Sequence, residues 1–281
     1  MAEITVVLVK ALRDKTGLPM MDCKKALTEV AGDEDAAIEL LRKKAKGKLE
    51  TRSQRETGEG RIGLFMNEDR TGGGLVELRC ESAQVARNEM FIALADGIAA
   101  AVAAGSDAEP KPETVLTLTV EGGKTVQDLI ADSFAKLQEN TKLIRCRRIA
   151  GTHLAGYVHF DGTTAVLVAL DAVPSDPKIG PDLCQHAAFT RPMAISADQI
   201  PPADLEKIGK TAREVATEEG KPEPIIEKIV EGKIRAFCKQ NALLDQEHVK
   251  PDYEKKSVQA VLKAAGVGTV TDLAVFQVGG A

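Results

Sequence analysis

An α+β fold is predicted: an amino-terminal three-helix module, then a duplicated hairpin-plus-helix core into which an antiparallel helical hairpin is inserted. Three observations carry this. Apolar residues keep helical spacing through residues 4–41. Alternation of period two then appears twice, at residues 62–80 and 153–172, each time with a helical stretch after it. Residues 200–244 return to a helical seam on both sides of a Gly-Pro break.

The first helix is expected from Ile4 to Asp14, with Val6, Leu8, Val9 and Leu12 as its apolar stripe. Thr16-Gly17 and Pro19 interrupt the pattern, and Met20 to Val30 restarts it with Cys23, Ala26, Leu27 and Val30 on one side and Asp22, Lys24 and Lys25 on the other. Gly32 is a natural stop, and Asp33 caps a third helix carrying Ala37, Ile38, Leu40 and Leu41. A methionine pair at a helix start offers an adaptable apolar surface for another protein, but the same pair serves as core filler in a small helical domain. Spacing alone favours the core filler. Arg42 to Gly60 is polar and charged and reads mostly as linker, giving a module over residues 1–48 and a connection over 49–60.

From Arg61 the residues Ile62, Leu64 and Met66 alternate, EDRTGGG makes a turn, and Leu75, Val76, Leu78 and Cys80 form a second strand. An alanine-rich helix over Ala86 to Ala104 follows, with Phe91, Leu94, Ile98 and Val102 at helical spacing. Ser106 to Arg148 starts Pro-rich and acidic and ends in a polar helix, closing a first core half over residues 61–148. His153 to Ala172 repeats strand, turn and strand, and a helix starts at Pro181, which assigns residues 149–199 to a second half. Over residues 200–244, Leu205, Ile208, Ala212 and Val215 face Ile226, Ile229, Val230 and Phe237 across Gly220 and Pro222, a helical hairpin or short coiled coil able to self-associate. A last helix at Val258 to Ala265 and a closing strand AVFQVGG complete the second half over residues 245–281.

With 281 residues the chain exceeds one average domain, and aromatics at 3% with no Trp require aliphatic cores. A net charge of −5 argues against a nucleic-acid surface, which needs a basic excess. Cys23, Cys80, Cys146, Cys184 and Cys238 are odd in number and never spaced as CxxC, so reduced thiols are expected rather than disulfides or zinc. No apolar run reaches membrane-spanning length and no signal-peptide profile opens the chain, so a cytoplasmic protein is expected. EGGKTV ends like a phosphate-binding loop, but Leu118 stands where that motif requires glycine. His153, His159, His186 and His248 fall in no metal-ligand spacing, and no nucleophile elbow is present. Neither catalytic residues nor a cofactor or metal is expected, and elimination leaves a binding protein.

The run LRDKTGLPMMDCKKAL resembles the amino-terminal signature of the elongation factor Ts family, guanine-nucleotide exchange factors of elongation factor Tu. The words GKP, IxEKIVEGK and LLxQxxVK, from Gly220, Ile225 and Leu243, and the closing AVFQVGG resemble the family's carboxy-terminal half. ENTKLIRCRR is loosely similar to its ENIxIRR. The resemblance implies a ubiquitin-associated-like first module that grips elongation factor Tu around Arg13, Thr16, Gly17, Met20, Met21, Asp22, Cys23 and Lys24. It places His159 of YVH on the partner-facing core and gives His186 of LCQHAA a packing role. It also implies a loop that disturbs the partner's Mg²⁺ site, for which the family carries NCxTDFVA. This chain reads RCESAQVA, so Ser82, Ala83, Gln84 and Val85 form that loop, with Ala83 and Gln84 in place of the family's Asp and Phe. The family's function, exchange of GDP for GTP, is therefore expected alongside two alternatives: a diverged elongation factor Tu binder without exchange activity, and an RNA-binding translation protein. No direct contact with nucleic acid or membrane is expected under the first.

Overall fold

The computed structural model describes residues 4–52, 55–120 and 122–280. Three helices open it: α1 (Val6–Thr16), α2 (Met20–Glu29) and α3 (Glu34–Arg52). Thr5 caps α1, and Gly17 ends it in the left-handed region at φ +69°, its N–H donating to the Arg13 carbonyl at 2.7 Å. That turn swings α2 back so that Val9, Leu12, Cys23, Ala26, Leu27, Ala37 and Leu41 close into one apolar centre. Two expectations shift here. Val6 and Leu8 lie outside that centre, with Val6 77% exposed, and α3 runs on to Arg52 where a linker was expected from Arg42. The straight-chain residues of RKKAKGKLETR favour helix, and Ala45 is buried beside Phe134 and Ala135 of a core helix.

The core holds two antiparallel three-stranded sheets. The first has β1 (Glu59–Met66), β2 (Gly72–Cys80) and β3 (Lys142–Ala150) in that order, and the second β4 (His153–Val158), β5 (Thr164–Leu170) and β6 (Val270–Gln277). Alternation sends Ile62, Leu75 and Ile149 of the first sheet against Leu154, Ala165, Leu167, Ala169, Ala274 and Phe276 of the second, so the sheets stack face to face. The opposite face of the first sheet is covered by α5 (Glu89–Ala104) and α7 (Val126–Leu137), through Val76, Leu78, Phe91, Ile98 and Ile130. α8 (Ile179–Thr190) and α11 (Val258–Ala264) cover that of the second, through Val166, Val168, Leu183, Val261 and Leu262. The duplicated hairpin-plus-helix core is thus a four-layer α/β/β/α stack.

Each half differs in detail from its sequence reading. The glycine run of EDRTGGG belongs to β2 and not to the turn, which closes over Asn67–Thr71. Gly63 and Gly74 let α5 lie on the sheet backbone: a Cβ there would land on the carbonyl oxygens of Ala95 and Ala99. The helix expected from Ala86 splits into a single turn, α4 (Ala83–Ala86), and α5, whose cap Asn88 accepts the Met90 N–H at 2.9 Å. The ENTKLIRCRR stretch supplies β3, the third strand of its sheet, and α6 (Pro112–Leu116) sits between α5 and α7. The helical hairpin is α9 (Pro202–Glu218) and α10 (Glu223–Asn241). In its seam Ala216 and Ile226 are buried, while Val215 is 50% exposed. Among the described residues no helix is long and apolar enough to cross a membrane.

A charged layer also lies where the sheets meet. Glu77 of β2 is fully buried and accepts from Nε of Arg79 and of Arg145, both at 2.7 Å, and from the Gly279 N–H at 3.0 Å. Arg145 further donates to the Gln277 carbonyl at 2.8 Å and lies over the Phe276 ring at 4.3 Å. Arg147 reaches both carboxylate oxygens of Asp272 on β6, at 2.9 and 3.0 Å. These pairs tie β2 and β3 to β6 and the residues after it.

Candidate functional site

The α1–α2 turn is built from hydrogen bonds of its own residues. Thr16 Oγ1 donates to the Leu12 carbonyl at 2.7 Å and lies 3.7 Å from Cys23 Sγ, which reaches the Leu18 carbonyl at 3.8 Å. Cys23 is fully buried, so it holds the turn from within and presents nothing outward. Met20 and Met21 face solvent at 40% and 60% exposure, with Arg13, Gly17 and Lys24 also exposed and Asp22 and Thr16 half-buried. The methionine pair is therefore surface, and only Cys23 of the set is core. Sequence reading passed over Val7, 76% exposed on α1, because it was not on the apolar stripe.

The module rests on α7. Leu18, Asp22, Lys25, Leu41 and Ala45 line one crevice with Phe134, Ala135 and Gln138. Gln138 adopts the left-handed conformation that ends α7, at φ 58°, and turns the chain so that Glu139 meets the loop after β2. Glu139 accepts the Ser82 N–H at 3.0 Å and the Ser82 hydroxyl at 2.6 Å. Ser82 Oγ in turn accepts the Val85 N–H at 3.3 Å, capping the single helical turn that holds Ala83 and Gln84. Ala83 and Gln84 are exposed, Ser82 and Val85 half-buried. Behind the loop, burial and the nearby Glu139 charge push the Cys80 thiol up to about 12, so it stays protonated.

His159 lies in the β4–β5 turn. Its Nδ1 is 2.8 Å from the Tyr157 hydroxyl and its ring 4.6 Å from that of Phe160. Burial works against the charge of Asp161, yet the Thr163 N–H and hydroxyl, each at 2.9 Å, and nearby His159 hold its carboxyl below the ordinary range. This turn is fixed to β1 by the Ile62 N–H donating to the Gly162 carbonyl at 2.9 Å. Glu59, three residues earlier on β1, pairs with Cys80 at the root of the Ser82 loop. A strand rises about 3.3 Å per residue, so the two anchor points are separated by roughly 10 Å. Phe160, 90% exposed, belongs to this turn, and Phe189, 79% exposed, stands beside it. The sequence offered no sign of them, since a lone Phe in a turn and one at a helix end both read as ordinary core.

His186 is fully buried. Its Nε2 faces Gln246 Oε1 at 2.8 Å, and its Nδ1 accepts the Val249 N–H at 3.2 Å, the packing role expected of it. Among the described residues no group of three or more His, Cys, Asp or Glu side chains is arranged to hold a metal ion. The structure thus links the turn of α2, the Ser82 loop and the His159 turn through Gln138, Glu139 and β1.

The family profile described as Elongation factor TS matches residues 81–280. The Elongation factor Ts of Aquifex aeolicus (strain VF5) is 39% identical over 282 aligned residues, covering 97% of this chain and 97% of its own length. That of Kineococcus radiotolerans is 40% identical over 290, covering 99% and 100%. That of Azoarcus sp. (strain BH72) is 40% identical over 272, covering 96% and 89%. A profile match over residues 81–280, and likeness to the relatives that extends through the amino-terminal helices, mean that this chain belongs to the elongation factor Ts family of translation elongation factors.

Proposed function

We propose that this chain binds elongation factor Tu carrying GDP and promotes exchange of GDP for GTP by disturbing the partner's Mg²⁺ and phosphate site. The observation that carries the reading is the run of contacts from α2 through Gln138 and Glu139 to Ser82, with the His159 turn a short way along β1. It supports one partner meeting all three surfaces together. Arg13, Met20, Met21, Asp22 and Lys24 grip the GTPase domain, with Thr16, Gly17 and Cys23 shaping the turn that presents them. The Ser82–Val85 loop is pressed toward the Mg²⁺, and His159 adds a core contact. Displacing the ion removes the largest local charge that holds the phosphates, and the nucleotide leaves. No bond is made or broken, so the reading requires no catalytic group. The α9–α10 hairpin serves as a peripheral contact or a self-association surface, for which the exposed Val215 and Ile225 speak.

A second reading is favoured by one observation. Ala83 and Gln84 are exposed and carry no apolar wedge. Burying a Phe at that point is worth about 1.5–3 kcal/mol, and the amide of Gln84 supplies none of it. A binder that has lost exchange fits that fact. Linkage separates the two: an exchange factor binds nucleotide-free elongation factor Tu more tightly than the GDP form, by the same factor by which it weakens GDP. Calorimetric affinities for both forms measure that factor. A ratio well above one is expected, and equal affinities would favour the diverged binder.

A further inference from the structure

We propose that Glu139 is a positioning residue for exchange, which pre-forms the Ser82–Val85 loop so that its backbone, and not a wedge side chain, makes the push. This rests on the exchange reading above. Two carboxylates hold the loop in opposite senses. Glu139, just after α7, takes both the N–H and the hydroxyl of Ser82 at 3.0 and 2.6 Å. Glu81, immediately before the loop, takes the Asn140 N–H at 2.8 Å, and its other oxygen pairs with Arg55 at 3.2 Å. Asn140 is only 2% exposed, and its amide donates to the Arg55 carbonyl at 3.3 Å, so the receiving strand end is itself fixed. Cys80 Sγ donates to the Ser82 carbonyl at 3.3 Å. Every backbone polar group at Ser82 is thus bound before any partner arrives, while Ala83 and Gln84 stand exposed at the crest.

The physical need follows from the Ala-Gln pair. A loop that inserts an apolar ring gains transfer energy on docking and tolerates some disorder beforehand. A loop without such a ring must avoid the entropy cost of being ordered on binding. Bonds that accept onto a carboxylate are the strong class of hydrogen bond, and Glu139 makes two to a single residue. Because the helix before Glu139 also carries the amino-terminal module, the same clasp fixes the spacing between the two proposed partner contacts.

The test uses the full chain and elongation factor Tu loaded with a fluorescent GDP analogue. Glu139→Gln and Glu139→Ala are compared with the unaltered chain for the maximal release rate, for the chain concentration giving half of it, and for hydrogen–deuterium exchange of residues 80–88 in the free chain. The expected result is a maximal rate lowered at least about tenfold by Glu139→Ala, with a half-saturating concentration changed less than threefold and loss of amide protection at Ser82 and Val85. Glu139→Gln should fall between, since its one acceptor oxygen keeps the hydroxyl bond. In a cycle with Ser82→Ala, the double variant should be no slower than Glu139→Ala alone. Unchanged release with Glu139→Ala would overturn the inference and leave the exchange reading standing. Equal loss in rate and half-saturation with protection retained would also overturn it, as general damage to binding. An unaltered chain that accelerates no release would instead overturn the exchange reading, and this inference with it.

Discussion

Replacing Glu77 by alanine should destabilise the chain by about 2–4 kcal/mol, and the structure supplies the working. Hydrogen bonds to a charged group contribute about 1.5–3 kcal/mol each, and Glu77 accepts three, from Arg79, Arg145 and Gly279. Their gross value of roughly 5–9 kcal/mol is not all lost. Arg79 and Arg145 keep 23% and 24% of their side chains exposed, so both guanidinium groups can turn toward water once the carboxylate has gone. Gly279 is exposed already. What cannot be recovered is the volume of a fully buried side chain between two sheets and the tie from β2 to the residues after β6. Breaking a buried pair from one side costs about 3–5 kcal/mol in general, and the partial exposure of both arginines brings the cost at Glu77 somewhat below that. Glu77→Gln keeps the shape and one acceptor oxygen but turns an amide NH₂ toward a guanidinium, and should cost about half as much. Urea unfolding followed by circular dichroism reads this as a shifted midpoint at unchanged slope. A midpoint for Glu77→Ala within about 0.5 kcal/mol of the unaltered chain would mean that the sheets are held by their apolar faces alone, and the charged layer would be ornament.

Three further outcomes follow from particular residues. Burial first, and then neighbouring His186, push the His248 imidazole down to about 4, with Asp182 opposing and Lys250 adding to the shift. The unfolded chain binds that proton near pH 6.5, so stability is full above about pH 6.5 and is lost as the pH falls toward 4, by up to about 3 kcal/mol from this group. His248→Gln should flatten the urea midpoint against pH across that window, and an unchanged slope would refute the assignment. Gly74→Ala should cost about 1–3 kcal/mol, because its Cβ would meet the Ala99 carbonyl and lift α5 off the sheet; an unshifted melting curve would refute that contact. Restoring the family pair with Ala83→Asp and Gln84→Phe should speed GDP release about tenfold or more, the equivalent of at least 1.4 kcal/mol from a buried ring. No gain would mean that the loop never enters a pocket able to take one.

The fold was legible where apolar spacing is regular and its partner local. The Thr16-Gly17 turn, the alternation in both hairpins and the seam around Gly220 each pointed to the element that forms. The rest depended on contacts distant in sequence. β3 reads as the tail of a polar helix because Arg145 and Arg147 look like surface charge, and only Glu77 and Asp272 turn them inward. Gly73 and Gly74 look like turn residues because nothing in the chain announces that the second sheet will lie against the one and a helix against the other. The continuation of α3 was hidden by its polarity, since the apolar contact that Ala45 makes there is with α7. In the candidate site, resemblance supplied the loop and the amino-terminal face, while the Glu139 clasp joins residues 57 apart and has no local pattern. Cys23, set on the apolar side of its helix by spacing and among the partner contacts by resemblance, is core because it points to the inside of the turn that the motif builds.

The exchange claim is tested most directly by release of a fluorescent GDP analogue from the same organism's elongation factor Tu, with and without this chain, over a series of Mg²⁺ concentrations. Ion displacement predicts a large acceleration that shrinks as Mg²⁺ rises, because the ion and the loop compete for one site. Tight binding with no acceleration at any Mg²⁺ concentration would contradict it, and would mean that the Ala83-Gln84 pair left a binder in place of an exchange factor.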